Sequence, residues 1–275
     1  MAARSSGKQS LSQDNAIELT TYAELEQFAK SFAAGYFNLL IIIGERGLQK
    51  STTVRRELPD TACWIQGAAS PFVIYQQLYK NLDCPVVIDD VDRLYRNKDG
   101  INLLKCLCQT EARKTVSWQS ANRELEKQGI PREFVTTSQA IIISNDWQTL
   151  NENVAAVEDR GHVLRFVPTA KEVHERTGAW FDDAEIYGWV EERLHLIRNP
   201  SMRLYYRARE LKNAGFDWRR LTPLAPEDHR RRLVADLLND QQYETQEERV
   251  LEFRKRGGGC RSTFYNHARR LRAHN

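Results

Sequence analysis

The octet Gly44-Glu45-Arg46-Gly47-Leu48-Gln49-Lys50-Ser51 follows directly on an apolar run and leads into residues 52–58, which read as the start of a helix. Glycines at the first and fourth places allow a turn tight enough for backbone N–H groups to close around an anion. The lysine adds a point charge, and the serine adds a hydroxyl that suits a hard cation. Gly44, Gly47, Lys50, Ser51 and Thr52 are therefore the candidates for holding a polyphosphate. Gln49 carries a side chain immediately before the lysine, where it could crowd such a ligand. Taken alone, the octet suits a surface turn equally well.

Two further segments end an apolar run in polar groups. Pro85-Val86-Val87-Ile88-Asp89-Asp90-Val91-Asp92 closes on carboxylates, and Ala140-Ile141-Ile142-Ile143-Ser144-Asn145-Asp146 closes on an amide. Adjacent acids at a strand end can divide two tasks, one holding a metal ion through water and one polarising an attacking water. An amide can orient that water without titrating. Read in isolation, the first segment is a strand with an Asx-type turn, and Asn145 simply opens another turn.

In order and spacing these three segments resemble the Walker A, Walker B and sensor 1 segments of AAA+ P-loop ATPases, with the look of DNA-associated ATPases encoded by phages, plasmids and transposable elements. The resemblance covers roughly residues 32–215. It implies ATP and Mg2+ as ligands and ATP hydrolysis as the activity. Ser51 and Asp89 would serve the metal, Asp90 would be the catalytic acid, Asn145 the sensor 1 residue and Lys50 the residue on the terminal phosphates. Residues Asp159-Arg160-Gly161-His162 stand where the family has its arginine finger, so Arg160 would act in a neighbouring subunit and the chain would form a ring or filament. Arg203 would be a sensor 2 arginine. Two positions depart from the family pattern: Gln49 replaces a glycine, and Asp90 replaces the usual glutamate.

Positioning these groups requires a sheet. Short β-branched runs at 38–43, 62–66, 85–88, 139–144 and 163–167 alternate with helical stretches, and each is apolar at nearly every position. Such runs predict an α/β domain whose parallel five-stranded sheet is sandwiched by helices, with ligands beyond the strands' carboxyl ends. A helix over 20–32 precedes the first run, with Thr20 or Thr21 as its cap. The predicted organisation is a mobile N-terminal extension at 1–15, the α/β nucleotide-binding domain at 16–168, a helical lid at 169–222 and a basic helical tail at 223–275. Pro223 and Pro226 mark the last break.

Charge separates the tail from the rest. Of 40 Lys and Arg and 37 Asp and Glu, residues 201–275 hold 17 and 10, so the tail is +7 and the body −4. An anionic partner is expected at the carboxyl end, nucleic acid rather than membrane, because no lipid-facing apolar helix accompanies the charge. Residues 247–253 and 261–271 read as two helices around Gly257-Gly258-Gly259-Cys260, with Val250, Leu251 and Phe253 apolar on the first. On the second, Phe264, Ala268 and Leu271 face one way. That pattern resembles a helix-turn-helix, with Arg261, Ser262, Thr263, Tyr265, Asn266, Arg269 and Arg270 as candidate DNA contacts. A solvated basic helix is the competing reading. The five cysteines lack zinc-site spacing, no apolar run is long enough to span a bilayer, and a cytoplasmic location is expected. The functions in view are an ATPase assembling on DNA for replication or transposition of a mobile element, with a possible partner protein, a non-hydrolysing nucleotide-binding adaptor, and a protein remodeller that does not bind DNA.

Overall fold

A computed structural model describes residues 16–91, 94, 97–119, 123–145, 156–197, 200–222, 229–240, 242–243 and 245–272. The expected extension at 1–15, Asp92, Asp146, Pro223 and Pro226 lie outside the described residues. The chain divides into two compact units, Met1–Pro168 and Thr169–Asn275.

Six strands of the first unit form one parallel sheet: β1 (Ile17–Leu19), β2 (Leu39–Gly44), β3 (Cys63–Gln66), β4 (Val86–Asp89), β7 (Ala140–Ser144) and β8 (His162–Phe166). The spatial order is β1-β8-β2-β7-β4-β3. Two more strands, β5 (Lys114–Ser117) and β6 (Glu133–Thr136), pair with each other antiparallel. Every residue of β4 and β7 is buried, which is why their sequences are apolar without alternation.

The two faces still separate by parity. Leu39, Ile41, Val86, Ile88, Ala140 and Ile142 pack with Ile74, Tyr75 and Leu78 of α3 (Pro71–Lys80) and with Leu103, Leu104 and Leu107 of α4 (Lys98–Leu107). Leu40, Ile42, Val87, Ile141, Ile143, Leu164 and Phe166 are equally buried and point the other way. On that side Tyr22 of α1 (Tyr22–Ala33) meets Phe166 edge to face at 5.1 Å, and α1 packs on α2 (Lys50–Glu57).

Thr21, not Thr20, caps α1. Its hydroxyl accepts from the Glu24 N–H while the Glu24 carboxylate accepts from the Thr21 N–H, a reciprocal box that fixes the helix start. The backbone N–H groups of Thr20 and Thr21 hold the Glu24 carboxyl below the usual carboxylate range.

The expected sheet of five strands is corrected to six. The extra strand β1 has only three residues, of which Ile17 and Glu18 are exposed, and it exists because the β8 edge offers it a partner. The β5–β6 pair was likewise not expected. Its strands alternate buried and exposed positions and mix Lys, Thr, Ser and Glu with Val and Phe, so neither makes an apolar run. Only α5 (Arg123–Lys127) among the described elements lies between them in sequence.

The second unit is helical: α6 (Ala170–Gly178), α7 (Ala184–Glu191), a 3-10 turn (Leu194–Leu196), α8 (Arg203–Asn213), α9 (Trp218–Leu221), α10 (His229–Asn239), α11 (Gln246–Lys255) and α12 (Arg261–Arg272). One apolar cluster joins Phe181, Ile186, Val190, Tyr205, Ala208 and Trp218. Another joins Leu233, Val234 and Leu237 of α10 with Val250, Phe253, Phe264 and Ala268. Leu251, expected on the apolar face of α11, is 57% exposed, because the buried pair Val250 and Phe253 sets the helix phase. Among the described residues no helix is long and apolar enough to cross a membrane.

The approach of β8 to β2 depends on a glycine. A Cβ on Gly161 would stand 2.6 Å from the Leu39 carbonyl oxygen and equally close to its Cγ. Gly161→Ala is expected to destabilise the protein by about 1–3 kcal/mol, as overpacking of a filled interior does. A thermal midpoint by circular dichroism equal to that of the parent would show the approach to be slack.

Candidate functional site

Because β2, β7 and β4 are adjacent and parallel, their carboxyl ends meet along one edge of the sheet. Residues 44–49 leave β2 at this edge and α2 begins at Lys50. Gly44 is required by contact: a Cβ there would lie 2.6 Å from the Phe166 carbonyl oxygen, across the β2–β8 pairing. Gly47 has a φ of 80°, which glycine adopts freely.

Backbone strain concentrates here. The non-glycine residues with positive φ among those described are Gln49 (55°), Asp83 (62°) and Asp90 (53°), and two of the three belong to this edge. A left-handed conformation costs an ordinary side chain about 1–2 kcal/mol, and less for aspartate. Such residues persist where their surroundings dictate the backbone, commonly at functional sites.

The side chains of the edge form two hydrogen-bonded sets, one around Asn145 and one around Asp89. Lys50 is only 6% exposed, so its ammonium needs acceptors. Its Nζ donates to the carbonyls of Gly44 (2.7 Å) and Glu45 (2.9 Å) and to Asn145 Oδ1 (3.0 Å). Asn145 Nδ2 donates to both carboxylate oxygens of Asp90 at 2.7 Å. Lysine only donates and a carboxylate only accepts, so this amide orientation is the one that satisfies both neighbours. Ser51 Oγ donates to Asp89 Oδ1 at 2.9 Å, and Gln66 Nε2 donates to Asp89 Oδ2 at 2.7 Å.

This donor set suits a hydrated divalent cation bound together with a phosphate. The 2.9 Å between Ser51 Oγ and Asp89 Oδ1 matches the edge of an octahedron whose oxygens lie about 2.1 Å from a magnesium ion. Among the described residues no group of three or more His, Cys, Asp or Glu could hold a metal ion unaided. A cation here would draw most of its ligands from phosphate and water, as magnesium commonly does. The buried hydroxyls of Thr53, in the first turn of α2, and Ser144, at the end of β7, have no hydrogen-bond partner among the described residues. They leave polar capacity at the same edge.

Five of the residues singled out in the sequence, Lys50, Ser51, Asp89, Asp90 and Asn145, are therefore brought together. Thr52 is not: it is exposed on α2. Arg160 lies before the amino end of β8, away from the carboxyl edge, and its Nη1 donates to the Lys105 carbonyl in the last turn of α4. There it stabilises the negative end of a helix in its own chain. Arg203 is the exposed first residue of α8 in the second unit.

Two contributors were missed in the sequence. Gln66 is the last residue of β3 and pairs in register with Asp89; a polar residue closing an apolar run, as at Asp89 and Asn145, is the signal that marks it. Tyr22 of α1 is the other, its hydroxyl donating to the Leu48 carbonyl at 3.0 Å. No sequence pattern announces that contact.

In the tail, α11 and α12 meet through Phe253 and Phe264, whose rings lie 5.4 Å apart. Gly258 permits the turn between them, since a Cβ would fall 2.2 Å from the Phe253 ring. Arg261, Ser262, Tyr265, Asn266 and Arg269 are exposed on α12, Thr263 is half-buried, and the Arg270 side chain lies outside the described residues. Arg261 reaches Glu247 at 3.5 Å. Hydrogen bonds with the Ser262 and Thr263 hydroxyls pull the Cys260 thiol down to about 6. All five cysteines are free.

No family model matches the sequence. The chain is 31% identical over 120 residues to an uncharacterized 36.7 kDa protein encoded in the nrdC-mobD intergenic region of Enterobacteria phage T4, a match that takes in 40% of this chain and 37% of the phage protein.

Proposed function

We propose that the chain is an AAA+ P-loop ATPase that binds ATP with magnesium at the carboxyl edge of its sheet, hydrolyses it, and assembles on DNA to support replication or transposition of a mobile element. The observation that carries this reading is the convergence of three separate segments: Asn145 bridges Lys50 and Asp90, while Ser51 meets Asp89. A surface turn, a strand end and an Asx turn have no reason to meet in side-chain hydrogen bonds at one sheet edge.

Each residue then has a task. The N–H groups around Gly44 and Gly47 and the ammonium of Lys50 hold the phosphates, Lys50 exchanging its own carbonyl acceptors for phosphate oxygens. Ser51 and Asp89 hold magnesium, and Gln66 fixes the Asp89 carboxylate. The metal, when bound, neutralises charge on the phosphate oxygens. Asp90 accepts a proton from the attacking water, and Asn145 orients that carboxylate. Arg160, remote from its own edge, would have to give up its Lys105 carbonyl to reach the phosphates of a neighbouring subunit, and Arg203 is the lid's candidate for the same phosphates.

The exposed polar face of α12 supports the DNA-binding part, with Asn266 and Arg261 suited to base edges and Arg269 to phosphate. The similarity to a phage protein supports the mobile-element setting. One observation favours the adaptor reading instead: both oxygens of Asp90 are engaged by Asn145, which competes with activation of water.

Lys50→Ala is expected to weaken Mg·ATP binding about 10- to 100-fold by calorimetry, the loss of a charge-assisted hydrogen bond. Asp90→Asn is expected to keep the affinity and lower phosphate release by about 10²–10⁴. A parent chain that binds Mg·ATP without turnover would establish the adaptor; no binding heat at all would remove the ATPase reading.

For the tail, the double substitution Arg261→Ala and Arg269→Ala is expected to weaken duplex binding in fluorescence anisotropy. It should also flatten the slope of log Kd against log salt by about 1–2. An unchanged slope would place any DNA contact elsewhere and favour a protein remodeller.

A further inference from the structure

Gln49 occupies a backbone conformation that a glycine would take without strain, and its side chain makes no capping hydrogen bond that explains it. The conformation is imposed from the two flanking peptide planes. On the far side, the Gln49 carbonyl accepts from the Thr53 N–H at 2.9 Å, the first hydrogen bond of α2. On the near side, the Leu48 carbonyl accepts from the Tyr22 hydroxyl at 3.0 Å. A trans peptide is planar, so fixing the Leu48 C=O toward Tyr22 turns the Gln49 N–H the opposite way. Gln49 cannot relax to negative φ unless one of these planes swings.

We propose that Tyr22 is a positioning residue that holds the 44–51 loop in its phosphate-binding shape, taking over what a glycine before the lysine otherwise does; this rests on the phosphate-loop assignment made above. The tyrosine is well placed to act as a fixed post. It is 3% exposed, its ring is wedged against Phe166, and the Thr21–Glu24 box fixes the helix turn that carries it. Phe166 is also the residue whose carbonyl packs on Gly44. Both ends of the loop are thus referred to one strand residue. With glycine at position 49 the left-handed conformation needs no enforcement, and the brace becomes dispensable.

The consequence is a non-additivity that simple loss of stability does not produce. Four full-length proteins are compared by calorimetry with Mg2+ and ATP: the parent, Tyr22→Phe, Gln49→Gly and the double variant. Tyr22→Phe keeps the ring and removes only the hydroxyl. In the parent background it is expected to weaken binding roughly five- to tenfold, the span of one buried hydrogen bond. In the Gln49→Gly background the same change is expected to weaken binding less than about twofold. Equal losses in both backgrounds would mean that Tyr22 acts through general stability, and no loss in the parent background would mean that it does not act; either overturns the proposal. A parent chain without affinity for Mg·ATP removes the phosphate-loop assignment itself, and the proposal with it. A parent chain that binds, with equal losses, removes the proposal alone.

Discussion

The position of β7 between β2 and β4, all parallel, is the constraint on which the candidate site depends. Lys50 follows β2, Asp90 follows β4 and Asn145 follows β7, so the amide of the middle strand has the lysine on one side and the carboxylate on the other. Exchange of β7 with either neighbour would separate donor from acceptor. The alignment is reinforced at the edge itself, where the Asp90 N–H donates to the Ile143 carbonyl at 3.0 Å and carries the pairing one residue past β4.

Close approach is the second requirement. The β2–β8 contact admits no side chain at Gly44 or Gly161, and the loop that starts at Gly44 inherits its direction from that contact. The same edge holds two non-glycine residues in left-handed conformations, each stabilised by a hydrogen bond from outside its own segment: Leu48, next to Gln49, from Tyr22, and Asp90 from Asn145. Local conformational energy is thus set against tertiary hydrogen bonds of similar size. That balance is typical of places where a backbone must hold a shape in readiness for a ligand.

The second unit solves a different problem, with little β-structure potential and much charge. Its helices bury aromatic and aliphatic residues in two clusters, and Arg and Lys occupy the exposed faces. On α12 the same helix that donates Phe264 and Ala268 to a core presents Arg261, Tyr265, Asn266 and Arg269 to solvent, so packing fixes the face that the proposed DNA contact would use.

The sequence alone determined the five long strands, their parallel arrangement and the five polar residues at their ends. Apolar runs buried on both faces and glycines spaced for a tight turn are local properties of the chain. It also determined the charge of the tail and the face of α12, which follow from composition and helical period. Tertiary structure decided what rests on contacts distant in sequence: β1, which has too few residues to be seen and exists through β8; the β5–β6 pair, whose alternation is hidden by polar residues; Gln66, placed beside Asp89 by strand register; and the Tyr22 hydroxyl, brought to the Leu48 carbonyl across 26 residues. The Arg160 contact with the Lys105 carbonyl and the exposure of Leu251 belong to the same class. In each case the partner, and not the residue, fixes the role, because a hydrogen bond or a buried face is a property of two surfaces and the sequence lists only one at a time.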